Sequence, residues 1–331
     1  MTGLWNRLTS TLGPEVPGLV VFLGVVILFF GAQADNFLTA ANFGSIAFQL
    51  PELGLLTLAM LIPIISGGFN LAIIATANMA GLTLAWVLNQ YGGPEAGVAP
   101  FLMGTVLALA VGAASGAAMG AVIAYIGAHP ILVSLVMMIF LRGLGEFLTR
   151  GGDISGFPPF LSTLGHGTVF GIPVPLLLFL GCAVIWHLLL TRSRHGFAAR
   201  MIGSNLRATE YAGVNARRTL VLIYTLSGLM CAIAGILMLS RFNSVRVGHG
   251  EALLLVTVLA CFLGGVDPFG GFGRVAPVVL ALIVLQVLAS GLNLMEANQH
   301  LATAVWGLFL LAVMILRWGA GQWKDRRRSK D

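Results

Sequence analysis

The polar side chains that could do chemistry in this 331-residue chain lie inside long apolar stretches. On a helix that turns about 100° per residue, Gln286, Ser290 and Asn293 fall within about 60° of one another and form one polar stripe. Asn70 and Asn78 are polar positions of another apolar stretch. Amides and hydroxyls both donate and accept hydrogen bonds, which suits a ligand that carries many hydroxyl groups. Hydrogen bonding between helices would use the same residues, so a substrate pathway and interhelical contacts are both open.

Motifs for catalysis, metal binding or nucleotide binding are missing from the sequence. The two lysines, Lys324 and Lys330, are each followed by Asp, so a phosphate-binding loop that ends in Gly-Lys-Ser or Gly-Lys-Thr cannot occur. The cysteines and histidines show no metal-ligand spacing. We therefore predict that the chain is not an enzyme and has no catalytic residues, metal or cofactor. Any ATP hydrolysis that powers it takes place on another chain.

A pair of charges lies late in a further apolar stretch. Arg142 and Glu146 are four residues apart, so they can pair across one helical turn. A single charge at the bilayer centre costs about 2.5–3.5 kcal/mol on insertion scales, and pairing or an edge position lowers that cost. The pattern favours a structural pair at the rim of a membrane helix, with a proton relay as the alternative.

The composition shows what kind of elements must position these residues. The chain is 58% hydrophobic and 9% charged, whereas soluble domains carry about 25% charged residues. Its outer surface must therefore face lipid, which excludes a soluble enzyme, a disordered chain and a coiled coil. A spanning helix needs about 20 mainly apolar residues, and about ten segments meet or approach this length. The candidate spans are Gly18–Phe30, Ser45–Ile65, Phe69–Leu88, Pro100–Ile126, Pro130–Leu148, Ile172–Leu190, Leu220–Leu239, Ala252–Gly264, Val275–Leu292 and Leu301–Trp318.

The basic residues predict the orientation of these spans. Segments 191–218 and 317–331 each hold six of the 18 basic residues. Basic loops lie on the cytoplasmic side of membrane proteins, and four predicted spans separate the two segments, which puts both on that side. Six spans precede the first segment, so both termini are predicted to be cytoplasmic.

A glycine stripe marks a close helix contact. Gly112, Gly116 and Gly120 recur every four residues and leave a smooth helix face on which another backbone can pack. Packing inside the bundle is the interpretation that we favour, and a dimerisation face is the alternative.

Two Gly-Gly pairs predict interrupted helices. Gly67-Gly68 and Gly264-Gly265 each follow an apolar run, and each precedes an amide or acid, Asn70 or Asp267, by two residues. Interrupted helices repeated in two halves are typical of transporters. We therefore predict two related halves with broken helices at the Gly-Gly motifs.

Several motifs, in order along the chain, resemble those of a known family. They are Asn36-Phe37-Leu38-Thr39, Ile65-Ser66-Gly67-Gly68-Phe69-Asn70-Leu71, Arg142-Gly143, Gly171-Ile172-Pro173-Val174-Pro175, Tyr224-Thr225-Leu226-Ser227-Gly228 and Leu263-Gly264-Gly265. Together they resemble the membrane permease of ribose/xylose-type bacterial sugar ABC importers, within the branched permease family. The resemblance covers nearly all of the chain from about residue 36, and it implies an all-α integral membrane fold.

The basic loop resembles the part of that family that contacts the ATPase. His195 to Asn205 is similar to the segment that leads into a short cytoplasmic coupling helix, and residues 208–213 are similar to that helix. The local sequence agrees, because Asn205 is a good N-cap and Gly213 a good C-terminal residue for a helix over Leu206–Ala212. The resemblance assigns ATPase coupling to Gly203, Ser204, Asn205, Arg207, Ala208, Thr209, Glu210 and Gly213. Without it, an ordinary charged cytoplasmic loop would be the simpler interpretation.

The chain also departs from the family pattern. Asn70 stands where the family has an acid, and Leu206-Arg207 stands where it often has two acids. These differences leave the fold prediction unchanged and leave the solute open. We expect a sugar or related polyol, with nucleosides or another hydroxylated solute as the alternative.

The resemblance completes the predicted organisation. Residues 1–331 form a single transmembrane permease domain, with a cytoplasmic coupling loop at 191–218 and a basic cytoplasmic tail at 319–331. The expected location is the bacterial cytoplasmic (inner) membrane, as a multi-pass protein. The expected partners are an ABC ATPase subunit, an extracytoplasmic solute-binding protein, the lipid bilayer, and a second permease copy or a sister permease, but no nucleic acid.

An ion-coupled secondary transporter is the rival from another class. It would need an acid or an ion site near the middle of the membrane. The acids Glu52, Glu146 and Glu296 are placed near predicted span edges, which disfavours it. A purely structural membrane scaffold is a further rival that would show no transport.

Overall fold

The computed structural model describes residues 15–296 and, beyond them, residues 304, 306–309, 311 and 315. The predicted span at Leu301–Trp318 therefore lies largely outside the described residues, and the tail at 319–331 lies wholly outside them. The helices in chain order are α1 (Val16–Gln33), α2 (Ala40–Ile65), α3 (Ile73–Gln90), α4 (Val98–Ala121), α5 (Pro130–Thr149), α6 (Pro159–His166), α7 (Val174–Arg192), α8 (Arg194–Ser204), α9 (Leu206–Tyr211), α10 (Ala216–Phe242), α11 (Leu253–Leu263) and α12 (Val275–Leu294).

Short elements complete the chain. A 3₁₀ turn covers Gly93–Glu95, and a π-helical turn, Val122–Ile126, extends α4. Two antiparallel pairs of short strands are present. They are β1 (Ile154–Ser155) with β4 (Ser244–Val245), and β2 (Thr168–Val169) with β3 (Ile172–Pro173).

Seven helices in the described part of the chain are long and apolar enough to cross a membrane. They are α1, α2, α4 with its π-helical extension, α5, α7, α10 and α12. The third predicted span corresponds to α3, which is helical but less apolar, and the eighth corresponds to α11, with 11 residues. The fold is thus an all-α integral membrane fold, in which seven of the ten predicted spans are matched by long apolar helices.

The core of the bundle forms around α2 and α10. In the most apolar stretch of α2, 89% of the residues are buried, against 17% in α5 and 22% in α1. The α10 helix packs on α2, α3 and α4. Apolar side chains therefore face protein in α2 and α10, and face outwards in the peripheral helices α1 and α5.

The glycine stripe of α4 packs inside this bundle. Gly112 and Gly116 lie against the backbone carbonyls of Gly228 and Tyr224 in α10. A side chain at either position of α4 would overlap these carbonyl groups. A Cβ at Gly120 would lie 2.7 Å from the Cα of Val221. The prediction that this stripe is an internal packing surface is confirmed.

Both Gly-Gly motifs end a helix in the same way. Gly67 follows α2 with φ +82°, and Gly265 follows α11 with φ +84°. The next N–H in each turn reaches back five residues, from Gly68 to Pro63 (2.9 Å) and from Val266 to Cys261 (3.0 Å). This is the Schellman arrangement, which favours glycine because of the left-handed backbone. We call the end of the bundle that holds both turns the Gly-Gly end, and the other end the opposite end.

Candidate functional site

Three segments meet through their backbones at the Gly-Gly end. The N–H of Gly271 donates a hydrogen bond of 2.8 Å to the carbonyl oxygen of Ile65, the last residue of α2. Gly203, in α8, packs against this hydrogen bond, and a Cβ there would overlap both of its groups. A Cβ at Gly270 would lie 2.7 Å from the Cα of Gly67. The three backbones are therefore in direct contact, and we call this meeting point the junction.

The α8 helix is anchored on one face and polar on the other. Ala198, Ala199 and Ile202 are buried, whereas the guanidinium of Arg200 is half-buried and donates to the carbonyl oxygen of Gly273 at 3.5 Å. Burial, followed by the nearby Arg274, lowers the pKa of Arg200. The helix is therefore packed against the junction through its buried face.

The predicted coupling helix is present as α9. The Oδ1 of Asn205 accepts from the N–H of Ala208 at 3.0 Å, so Asn205 is the N-cap, and Gly213 follows the helix with φ +78°. Thr209 is buried and donates to the carbonyl oxygen of Asn205. The helix predicted over Leu206–Ala212 is thus present with Asn205 as its N-cap, and it ends one residue earlier, at Tyr211.

Most of the predicted coupling residues lie on one exposed projection. Among those outside the junction, Ser204, Asn205, Arg207, Ala208, Glu210 and Gly213 are exposed. Two aromatic residues in the same segments were not singled out from the sequence. The side chain of Tyr211 is 93% exposed and that of Phe197 is 65% exposed. Exposed aromatic residues beside charges are common in protein interfaces, so an aromatic residue within a charged loop was an available signal.

The polar stripe of α12 faces a polar row on α2. The Nε2 of Gln286 donates to the Oε1 of Gln49 at 3.2 Å, and the hydroxyl of Ser290 donates to the Oδ1 of Asn42 at 2.5 Å. The side chain of Asn293 has no hydrogen-bond partner within the described part of the chain.

Between the two rows lies a cavity of about 740 Å³ at the opposite end. Its polar lining residues are Asn36, Thr39, Asn42, Ser45, Gln49, Ser290 and Asn293. We call this cavity the amide cavity. The sequence interpretation missed its α2 wall, although Asn42, Ser45 and Gln49 recur at spacings of three and four residues that place them on one helix face.

The other two predicted pathway residues lie elsewhere. Asn70 is fully buried after the first Gly-Gly turn, where it donates to Ser227 (2.8 Å) and accepts from the N–H of Ala72 (3.0 Å). Asn78 donates to the carbonyl oxygen of His249 at 3.1 Å and lines a second cavity of about 250 Å³. The structure therefore brings together Gln286, Ser290 and Asn293, and separates Asn70 and Asn78 from them.

Charged residues gather beside the second cavity. Arg142 pairs with Glu146 at 3.1 Å, as predicted, and also with Glu251 at 2.8 Å, and both acid side chains are half-exposed. His249 lies in the loop after α10, where burial and then Arg246 lower its pKa.

A buried ion pair between helices was missed by the sequence interpretation. The Nη1 of Arg241, near the end of α10, lies 2.8 Å from the Oε2 of Glu52 in α2. The two side chains are 15% and 9% exposed. Glu52 is therefore a structural partner of Arg241 inside the bundle, where each charge offsets the burial of the other.

Comparison with known proteins gives these features a context. The family model described as "Branched-chain amino acid transport system / permease component" matches residues 42–317. The chain belongs to this permease family. The family resemblance seen in the sequence is confirmed, and the protein is a multi-pass membrane transport component rather than an enzyme, as predicted.

Two named permeases align with 90% of this chain. The autoinducer 2 import system permease protein LsrD of Photorhabdus laumondii is 32% identical over 305 residues, which are 90% of each chain. The L-arabinose transport system permease protein AraH of Escherichia coli is 31% identical over 298 residues, 90% of this chain and 89% of the other. No solved structure matches the chain.

Proposed function

We propose that this permease forms the translocation pathway of an ATP-driven ABC importer for a sugar or a related polyol in the bacterial inner membrane. Membership of the family, one relative named as an import permease and another named as a transport permease support a role in solute uptake. One relative is named for L-arabinose, a sugar, and the other for autoinducer 2. A nucleoside or another hydroxylated solute is the alternative.

The chemistry of the amide cavity supports a hydroxylated solute. Its described lining residues are amides, hydroxyls and apolar groups, and none of them is charged. An amino acid, the solute class in the family description, carries two charges that are costly to desolvate without ionic partners. Hydroxyl groups can bond fully to amides and hydroxyls. In this proposal Gln286, Ser290 and Asn293 line the pathway together with Asn42 and Gln49. Asn78 contacts solute in the second cavity, and Asn70 orients the start of α3.

The observation that carries the coupling mechanism is the junction at Gly203. The proposed ATPase subunit docks on α9 and on the exposed aromatic residues Phe197 and Tyr211. Closure of the ATPases moves α8, and the backbone contacts of Gly203 with Ile65 and Gly271 pass that movement to α2 and to the α11–α12 loop. The pathway then switches between its inward-open and outward-open states, because ATP binds the transporter more tightly in one of them. ATP and solute need no contact with each other.

The topology follows from the same proposal. About ten spans form two related halves within one permease domain over residues 1–331, with both termini in the cytoplasm. The Gly-Gly end, which includes the basic segment 191–218, faces the cytoplasm, and the tail at 319–331 lies on the same side. The solute-binding protein docks on the opposite end. A second copy of the chain or a sister permease completes the pathway.

Reconstitution tests this function. The permease is co-purified from native membranes with its associated proteins, which are identified by mass spectrometry, and then placed in liposomes. We expect an ATPase and a solute-binding protein, and uptake of L-arabinose or a related sugar that stops without internal ATP. Uptake of a branched-chain amino acid instead would overturn the solute class. Uptake that survives ATP removal and stops with an ionophore would overturn ATP coupling.

A further inference from the structure

A third cavity, of about 390 Å³, opens at the Gly-Gly end between the start of α1, the middle of α8 and the start of α12. Its lining residues are Glu15, Arg200, Gly264, Gly265, Gly271, Phe272, Gly273 and Arg274. The cavity is separate from the amide cavity and from α9, so neither the solute pathway nor the docking projection accounts for it. We call it the arginine cavity.

Within residues 15–296, the two guanidinium groups of this cavity have no ion-pair partner. Arg200 is half-buried, and its one hydrogen bond in the described part of the chain is the long contact with the Gly273 carbonyl oxygen. Arg274 lies close enough to disfavour the charge on Arg200. Glu15 also lines the cavity, but within residues 15–296 no carboxylate lies within ion-pair distance of either arginine. Arg200 is partly withdrawn from water and Arg274 is exposed. Like charges this close to each other are stabilised when an anion lies between them.

The backbone adds to the positive potential. The α12 helix begins directly after Arg274, which occupies the N-cap position without a side-chain cap hydrogen bond. The first N–H groups of a helix carry partial positive charge and favour an anion. Together with the two guanidiniums, this helix start points to an oxygen-rich anion such as a phosphate group.

The surroundings of the arginine cavity are apolar. Phe272 lines the cavity and is 70% exposed, and Phe269, in the same loop, is 87% exposed. The neighbouring α1 is a peripheral helix that exposes Val20 and Val21. Exposed apolar side chains, including Phe, next to basic groups are found where a segment lies at the level of anionic lipid head groups. A ligand with a phosphate and an acyl chain fits both parts of this surface.

We propose that the arginine cavity binds the phosphate of an anionic phospholipid head group, held by Arg200, Arg274 and the start of α12. The acyl chains lie along the exposed face of α1. The bound lipid neutralises the two arginines and supports the α11–α12 loop next to the junction with α8.

Native mass spectrometry of the delipidated permease in detergent tests this site. Phosphatidylglycerol and phosphatidylcholine with the same acyl chains are titrated onto the wild-type chain and onto the variants Arg200→Gln and Arg274→Gln. The matched control is Arg194→Gln, which removes an exposed arginine from the same helix, α8. We expect the wild-type chain to prefer phosphatidylglycerol. Each cavity variant should lower that preference about fivefold, the effect of one arginine at an anionic surface, and the control should leave it unchanged.

Competition experiments distinguish a lipid phosphate from a soluble phosphate as the ligand. Glycerol 3-phosphate and inorganic phosphate are added as competitors, and neither is expected to displace phosphatidylglycerol at equal concentration. Displacement by either would make a soluble anion the ligand and overturn the lipid assignment. Equal phosphatidylglycerol binding by all variants would overturn the site. Unchanged lipid binding with loss of the co-purified ATPase would assign the arginines to a protein contact instead.

Discussion

The carbonyl oxygen of Ile65 and the N–H of Gly271 are joined by a hydrogen bond of 2.8 Å, although the residues are far apart in the chain. The bond ties the end of α2 to the loop between α11 and α12, and Gly203 of α8 packs directly on it. A single backbone contact thus links the two Gly-Gly turns to the segment that precedes α9. Each element is held by main-chain atoms, which leaves little space between the three backbones.

A methyl group at Gly203 should uncouple ATP use from transport. In Gly203→Ala the new Cβ overlaps the Ile65 carbonyl and the Gly271 N–H, so α8 must move away from the junction. We expect ATP-driven uptake in liposomes to fall at least about fivefold, a typical loss of coupling between sites, while the ATPase remains bound. The control is Gly181→Ala, since a Cβ there meets nothing within 4 Å. Wild-type uptake by Gly203→Ala would contradict the coupling role of the junction.

The N-cap of α9 should control docking of the ATPase. Asn205→Ala removes the side-chain acceptor of the Ala208 N–H, and loss of an N-cap costs about 1 kcal/mol of helix stability. We expect about fivefold less ATPase to co-purify with this variant. Asn205→Asp keeps the cap acceptor and should retain the ATPase. Equal retention by both variants would show that the order of α9 is unimportant for docking.

Asn293 distinguishes a solute pathway from helix packing. Its side chain lines the amide cavity and makes no hydrogen bond to any described residue, so a structural role predicts no effect of Asn293→Ala. A lost bond to solute costs about 0.5–1.5 kcal/mol, and we expect the KM for uptake to rise about twofold to tenfold. Asn89→Ala, another exposed asparagine at the opposite end, is the control. An unchanged KM would remove Asn293 from the pathway.

The buried pair of Glu52 and Arg241 should matter more for stability than the exposed pair of Arg142 and Glu146. Glu52→Gln leaves the Arg241 charge buried without its partner, which costs about 3–5 kcal/mol in comparable buried pairs. We expect a clear fall in Tm by thermal unfolding in detergent. Glu146→Gln should unfold close to wild type, because its side chain is half-exposed and water replaces the contact.

A double variant completes this test. Glu52→Leu combined with Arg241→Met removes both charges and should recover most of the lost Tm, because no unpaired charge remains. A double variant as unstable as Glu52→Gln would mean that packing, rather than charge, explains the loss.

Local features of this permease were predictable because their causes are local. Runs of apolar residues predicted the seven long helices, Asn205 and Gly213 predicted the limits of α9, and the spacing of Arg142 and Glu146 predicted their pair. Each follows from helix geometry, from capping, or from transfer of a short segment into lipid. The Gly-Gly pairs predicted interrupted helices, and a helix ends at each pair, because glycine adopts the left-handed backbone of a Schellman turn at little cost.

Contacts between distant segments were decided by the tertiary structure alone. Nothing in a single sequence pairs Glu52 with Arg241, or Gly203 with Ile65. Their proximity depends on how α2, α8 and α10 are arranged. The α2 wall of the amide cavity shows the difference. The spacing of Asn42, Ser45 and Gln49 defines a polar face, but only the packing of α2 against α12 turns two polar faces into a cavity. The sequence determines which surfaces of a helix can bond or bury, and the packed bundle determines which of those surfaces meet.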